Sequence, residues 1–112
     1  MIHFDKSEFT QGRLNVFDKM QPDFLDKLDK LRGLCGFALV INSSYRSPQY
    51  NASIGGSKGS KHMEGIAVDL ACTDSSKRAK IVLNALHLGL TVGVAKTFIH
   101  VDNRVGQIMF TY

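Results

Sequence analysis

The chain has 112 residues, 44% of them hydrophobic and 21% charged, with 14 lysines and arginines against 10 aspartates and glutamates and a formal charge of +4. Such a length and apolar content fit one compact domain with a single core over residues 1–112. No run is long and apolar enough to span a membrane, the start Met1-Ile2-His3-Phe4-Asp5 lacks a basic segment followed by an apolar one, and two cysteines are too few for a disulfide framework.

In chain order, Pro22 opens a helix in which Phe24, Leu25, Leu28 and Leu31 recur at helical spacing, with Gly33 as its stop. Phe37 to Asn42 is a short apolar run rich in β-formers, which predicts a buried strand leading into the loop around Arg46. A Gly/Ser/Lys-rich loop from Ser53 to Ser60 follows, and it is expected to shape one wall of a cleft. Ile66 to Cys72 reads as a strand. Asp74 or Ser75 caps a second helix whose apolar face is Ala79, Val82, Leu83 and Leu86, ending near Gly89. Thr91 to Ala95, Thr97 to Asp102 and Gln107 to Phe110 complete the chain as strands. The predicted fold class is α+β, with two or three helices packed on one largely antiparallel sheet.

Three residues carry the chemistry. His62, Asp69 and His100 supply two imidazoles and a carboxylate, the donor set of a catalytic zinc site that keeps a fourth position open. Strand alternation puts Ala67, Asp69 and Ala71 on one face, with small residues beside the carboxylate, and Ile66, Val68 and Leu70 on the other. In the later strand it puts Phe98, His100 and Asp102 together and turns Thr97, Ile99 and Val101 away. Gly65 allows a sharp turn, so that His62 folds back toward Asp69. His3 and His87 have no partner at ligand spacing, and Cys35 and Cys72 are expected to stay reduced.

Ser60-x-His62-x-x-Gly65-x-Ala67-x-Asp69, the loop Ser43-Ser44-Tyr45-Arg46-Ser47-Pro48 with Tyr50-Asn51, the link Gly55-Gly56-Ser57, the ending Phe98-Ile99-His100-Val101-Asp102-Asn103-Arg104 and the opening Ser7-Glu8-Phe9 all carry a resemblance. The chain resembles the D-alanyl-D-alanine carboxypeptidase-like zinc peptidases, which share a fold with the hedgehog signalling domain, and the likeness spans nearly its whole length. The resemblance implies that His62, Asp69 and His100 bind one Zn2+ and that a water is the nucleophile. It implies that Arg46 binds a substrate carboxylate or stabilises the oxyanion, and that Ser60 bonds the substrate backbone or holds the loop.

Several relatives carry a glutamate three residues before the last histidine, where this chain has Thr97. Asp102 is the replacement as general base, with a role orienting His100 as the alternative and Glu64 as a third candidate. The implied substrate is a peptide of bacterial peptidoglycan, cut by a carboxypeptidase or an endopeptidase. The enzyme is expected to be a monomer made without a signal peptide, acting on the wall after release in phage lysis or from a virion. Two other classes stand beside it. One is a cell-wall-binding module that keeps zinc without turnover, which the absent glutamate favours. The other is a nucleic-acid-binding domain using Lys58, Lys61, Lys77, Arg78 and Lys80. With no recognised nucleic-acid motif, that set reads instead as a solvated basic face.

Overall fold

Alternating side chains in the second half of the chain build a sheet with one oily face and one polar face. The computed structural model describes residues 1–112. It contains strands β1 (Thr10–Gln11), β2 (Leu14–Asn15), β3 (Val40–Ser43), β4 (Ala67–Ala71), β5 (Thr91–Val94), β6 (Phe98–Asp102) and β7 (Met109–Thr111). Its helices are α1 (Pro22–Cys35), α2 (Pro48–Ser53) and α3 (Ser75–His87), and Lys6–Glu8, Phe17–Lys19 and Lys61–Glu64 form 3-10 turns. β1 and β2 make a small hairpin; the other five strands form one sheet in the order β3-β4-β6-β5-β7. Three of its pairings are antiparallel and the last, β5 with β7, is parallel, so the sheet is largely antiparallel as expected.

Val68, Leu70, Val92, Ile99 and Val101 project from one face into a single core shared with α1 and α3. From α1 come Phe24, Leu25, Leu28, Leu31 and Cys35. Burying each of the larger of these side chains contributes roughly 1.5–3 kcal/mol. The expected stop at Gly33 is corrected: the apolar stripe continues to Cys35, and Gly36, at φ 74°, takes the left-handed cap position and donates its N–H to the Arg32 carbonyl.

Two further expectations shift. The strand predicted over Phe37 to Asn42 begins at Val40 and is an edge strand, not a buried one: Val40 is 59% exposed, and β3 pairs with β4 alone. Leu39, just before it, supplies the buried contact. In α3 the Asp74 carboxylate accepts from the Lys77 N–H at 2.9 Å, as the capping pattern predicts. Its buried face, however, is Ile81 and Ala85 flanked by Val82 and Leu86, while Ala79 is exposed and Leu83 is 69% exposed. Two i, i+4 stripes compete on this helix, and packing against α1, β5 and β6 selects the one through Ile81. No helix is long and apolar enough to cross a membrane.

Candidate metal centre

The sheet's other face carries one continuous row of residues: Ser43 on β3, Asp69 on β4, His100 on β6, Gly93 on β5 and Phe110 on β7, each beside the next. The alternation that buries Val68 and Leu70, Ile99 and Val101 therefore places Asp69 and His100 directly opposite each other on the far side. Gly93 leaves the space between them and β7. A Cβ there would lie 2.5 Å from the Phe110 ring and 3.2 Å from the His100 Cβ.

His62 arrives from outside the sheet, on the 3-10 turn Lys61–Glu64. The Ser60 hydroxyl accepts the His62 N–H at 3.3 Å and so caps that turn, and Ser60 also lines the cleft beside the donors. Gly65, at φ 72°, closes it, and a side chain at this position would run into the Lys19 carbonyl oxygen. The three donors, all buried, converge with one ligand atom each within 4.8 Å of one another.

The hydrogen bonds around the two imidazoles decide which nitrogens face inward. His62 Nδ1 lies 2.8 Å from the Ser44 carbonyl, which can only accept, so this nitrogen carries a proton and Nε2 is the one that faces inward, 3.3 Å from Asp69 Oδ1. His100 Nε2 donates to Asp102 Oδ2 at 2.7 Å, leaving Nδ1 at 3.0 Å from the same Asp69 oxygen. Two inward nitrogens that meet the same carboxylate oxygen call for a positive charge among them, a proton or a cation. The donor set and the tied outer nitrogens thus fit a divalent cation held by His62 Nε2, Asp69 and His100 Nδ1.

In the chain by itself a proton supplies part of that charge. Burial disfavours the charged His100 ring, but its hydrogen bonds to Asp102 and Asp69, and their charges, outweigh this and raise its pKa above 6.5. Burial likewise opposes the Asp69 carboxylate, yet the hydrogen bonds from His100 and His62 bring it down to about 2.

Arg46 is fixed on three sides. Its Nε donates to Ser43 Oγ at 3.0 Å, Nη1 to Asn51 Oδ1 at 3.2 Å and Nη2 to Asp69 Oδ2 at 3.2 Å. The guanidinium lines a cleft of about 400 Å³ beside the donors. Gly55, Gly56 and Gly59 form one rim, as the glycine-rich loop predicts, and Phe98, Phe110 and Tyr112 form an aromatic wall, with ring centroids 5.1 Å apart for Phe98 and Tyr112. Tyr112 is 70% exposed, but loss of water on its cleft side and the Asp69 charge both push its phenol up, to about 12.

Asp102 shares the face of His100, as expected, but it is fully buried and does not line the cleft. Besides His100, its oxygens accept from Arg104 Nε at 3.0 and 3.1 Å, Arg104 Nη2 at 2.6 Å and the Arg104 backbone N–H at 3.0 Å. With both oxygens engaged and turned away from the cleft, its geometry is that of a residue positioning His100, the alternative role, not that of a base. Glu64 also stands apart, paired with Lys61 at 3.0 Å. Thr97 lines a separate groove with Phe37, Cys72 and Ile81, so position 97 does not face the donors at all. Of the basic residues, Arg78 is committed to the carbonyls of Cys72 and Ala95.

Sequence reasoning singled out none of Ser43, Ser44, Asn51, Phe110 and Tyr112 as working residues, and it gave Arg104 no role. Ser43, Ser44 and Asn51 had a signal in the loop that carries the resemblance, and Arg104 in its place two residues beyond an aspartate on the donor face, whereas Phe110 and Tyr112 had none. Over residues 2–102 the chain matches the family model described as Peptidase M15. No curated protein matches it. That match covers the Arg46 loop, the His62 turn and both ligand-bearing strands, and the chain belongs to the Peptidase M15 family.

Proposed function

We propose that this peptidase is zinc-dependent and cuts a peptide bond in the stem peptides or cross-bridges of bacterial peptidoglycan. One observation carries the reading: two imidazoles with outward nitrogens tied off and a buried carboxylate converge at a cleft that Arg46 also lines. Two histidines and one carboxylate match zinc better than magnesium or calcium, which prefer oxygen donors throughout. When bound there, the ion polarises the scissile carbonyl and lowers the pKa of a water.

The remaining work belongs to the chain's own groups. Ser44 and Asp102 hold the two imidazoles in the tautomers that present Nε2 and Nδ1. Arg46, locked by Ser43, Asn51 and Asp69, offers its unused N–H groups to a developing oxyanion or a terminal carboxylate without reorganising. The aromatic wall offers the substrate an apolar surface along one side of the cleft. Water adds across the amide, the C–N bond breaks, and a carboxylate and an amine leave.

The test is peptide release from purified peptidoglycan by zinc-loaded wild type, chelated protein and His100→Ala, with products weighed by mass spectrometry. Release that needs zinc and is lost in the variant supports the reading, and fragment masses name the bond. One observation favours a second reading: Asp69 is the only carboxylate lining the cleft, so no free carboxylate stands ready as a base. Stoichiometric zinc with no release from any wall type tested would make the chain a zinc-holding wall-binding module instead.

A further inference from the structure

Arg104 is held more tightly than its place at the rim requires. Nε and Nη2 are both committed to the fully buried Asp102 carboxylate, the backbone N–H of Arg104 joins them, and the guanidinium carbon lies 5.4 Å from the Phe110 ring centroid. The side chain is 24% exposed and lines the cleft, and no hydrogen bond within the protein uses Nη1. A guanidinium anchored through two nitrogens, with the third free at a cleft wall, has lost its rotamer freedom in advance. It can bind a planar anion with little further ordering cost.

The charges around it set what that ligand is. Arg46, Lys61 and Arg104 are balanced by Asp69, Asp102 and Glu64, three against three, and every one of these anions is already paired within the protein. A divalent cation at the donors leaves the site with a net charge of about +2, which favours an anionic substrate. We propose that Arg104 Nη1 reads a substrate carboxylate, making this residue a specificity determinant separate from Arg46. The proposal rests on the peptidase reading for its substrate class, a wall-derived peptide. Such a peptide offers two sources of the group, the terminal α-carboxylate and the free carboxylate of its D-glutamyl residue.

The probe is the stem peptide L-Ala-γ-D-Glu-L-Lys-D-Ala-D-Ala with both carboxylates free, with either one amidated, and with both amidated. Each form is assayed for KM and kcat on zinc-loaded protein, and each is titrated while the 15N resonances of the Arg104 guanidinium are followed. A charge-assisted hydrogen bond corresponds to roughly a 10- to 100-fold rise in KM when the carboxylate that is read becomes an amide. Arg104→Gln, assayed at saturating zinc, should raise KM for the free acid by a similar factor and abolish the distinction between acid and amide. Arg104→Lys should restore part of it. Lys80→Gln, an equal charge change on the exposed face of α3, should leave discrimination intact.

A purely structural role for Arg104 would lower turnover of acid and amide alike, so the KM ratio separates the two. Sensitivity to the terminal amide points to a carboxypeptidase, and sensitivity to the D-glutamyl amide to an endopeptidase. Wild type that treats all forms alike within about twofold, or Arg104→Gln that still discriminates, overturns the proposal. If no form is cleaved, the peptidase reading fails while the titration still decides this one: an Arg104 shift with the acid but not the amide upholds it, and no shift refutes it.

Discussion

Replacing Asp102 by asparagine separates a positioning residue from a general base. Every donor around this carboxylate is an N–H: Arg104 N and Nε reach Oδ1, while His100 Nε2 and Arg104 Nη2 reach Oδ2. An amide has one accepting oxygen, so in either orientation its NH2 group faces a donor. When the NH2 faces His100, the ring can accept only by moving its proton from Nε2 to Nδ1, the atom turned toward Asp69 and the ion. Loss of such an outer partner costs about 10- to 100-fold in metal affinity, or about 1.4–2.7 kcal/mol. The assay is competition for zinc against a chelating dye at fixed pH, with turnover measured at low and at saturating zinc. Asp102→Asn should bind zinc at least tenfold more weakly and recover much of its activity when zinc is raised. Wild-type zinc affinity together with a turnover loss that zinc cannot repair would refute the reasoning and return Asp102 to the role of base.

Gly65→Ala places a side chain at φ 72°, against the Lys19 carbonyl; the left-handed backbone costs about 1–2 kcal/mol and the clash about 1–3 more. Urea unfolding should show a loss of about 2–5 kcal/mol, and a loss under about 1 would mean that the turn carrying His62 relaxes freely. Ser44 Oγ is buried with no partner, so Ser44→Ala should be neutral or stabilising by up to about 1 kcal/mol; clear destabilisation in the same assay would reveal a bond not accounted for. For the metal-free protein the sign of the pH dependence follows from two shifts. His100, raised above 6.5, contributes stability that is full below about pH 6.5 and lost as pH rises through its folded value, while Asp69, lowered to about 2, contributes stability lost as pH falls below about 3.8. The metal-free chain should therefore be more stable near pH 6 than near pH 8, and zinc, which must displace the proton on His100 Nδ1, should bind up to about tenfold more weakly per pH unit below that folded value; urea midpoints that rise from pH 6 to 8 without metal would contradict the assignment.

The parts of the fold visible in the sequence are those in which burial imposes a short period. β4 and β6 alternate because one face meets the core and the other the donors, so Asp69, His100 and Asp102 could be assigned faces before any coordinates. α1 was legible through its leucine stripe, but not its end, since Gly33 can pass inside a packed helix and the left-handed cap falls at Gly36. α3 carries two apolar stripes of similar strength, and only the position of its neighbours decides that Ile81 turns inward and Leu83 outward. The pairing of β7 beside β5 is a long-range choice with no local signal, and it brings Phe110 and Tyr112 to the cleft. What alternation could not show for Asp102 is how its carboxylate is engaged: it fixes a face, but the orientation depends on Arg104, whose return onto it is a property of the chain after the strand ends.

Metal-binding geometry here is inherited from the core. His100 is flanked by Ile99 and Val101, and a one-residue slip of β6 would turn both toward the donor face while sending His100 into the packing of α1 and α3. Exposing those two side chains alone costs roughly 3–6 kcal/mol, at roughly 1.5–3 kcal/mol each, before the buried imidazole is counted. The same constraint acts on Asp69 between Val68 and Leu70. The register that brings Asp69 opposite His100 is thus fixed by the oily face, so the two strand donors are aligned before any ion binds. His62 has no such strand to hold it. Its position depends on Ser60, on the left-handed Gly65 and on the Ser44 carbonyl, and it is the donor whose placement is most easily disturbed by changes outside the core.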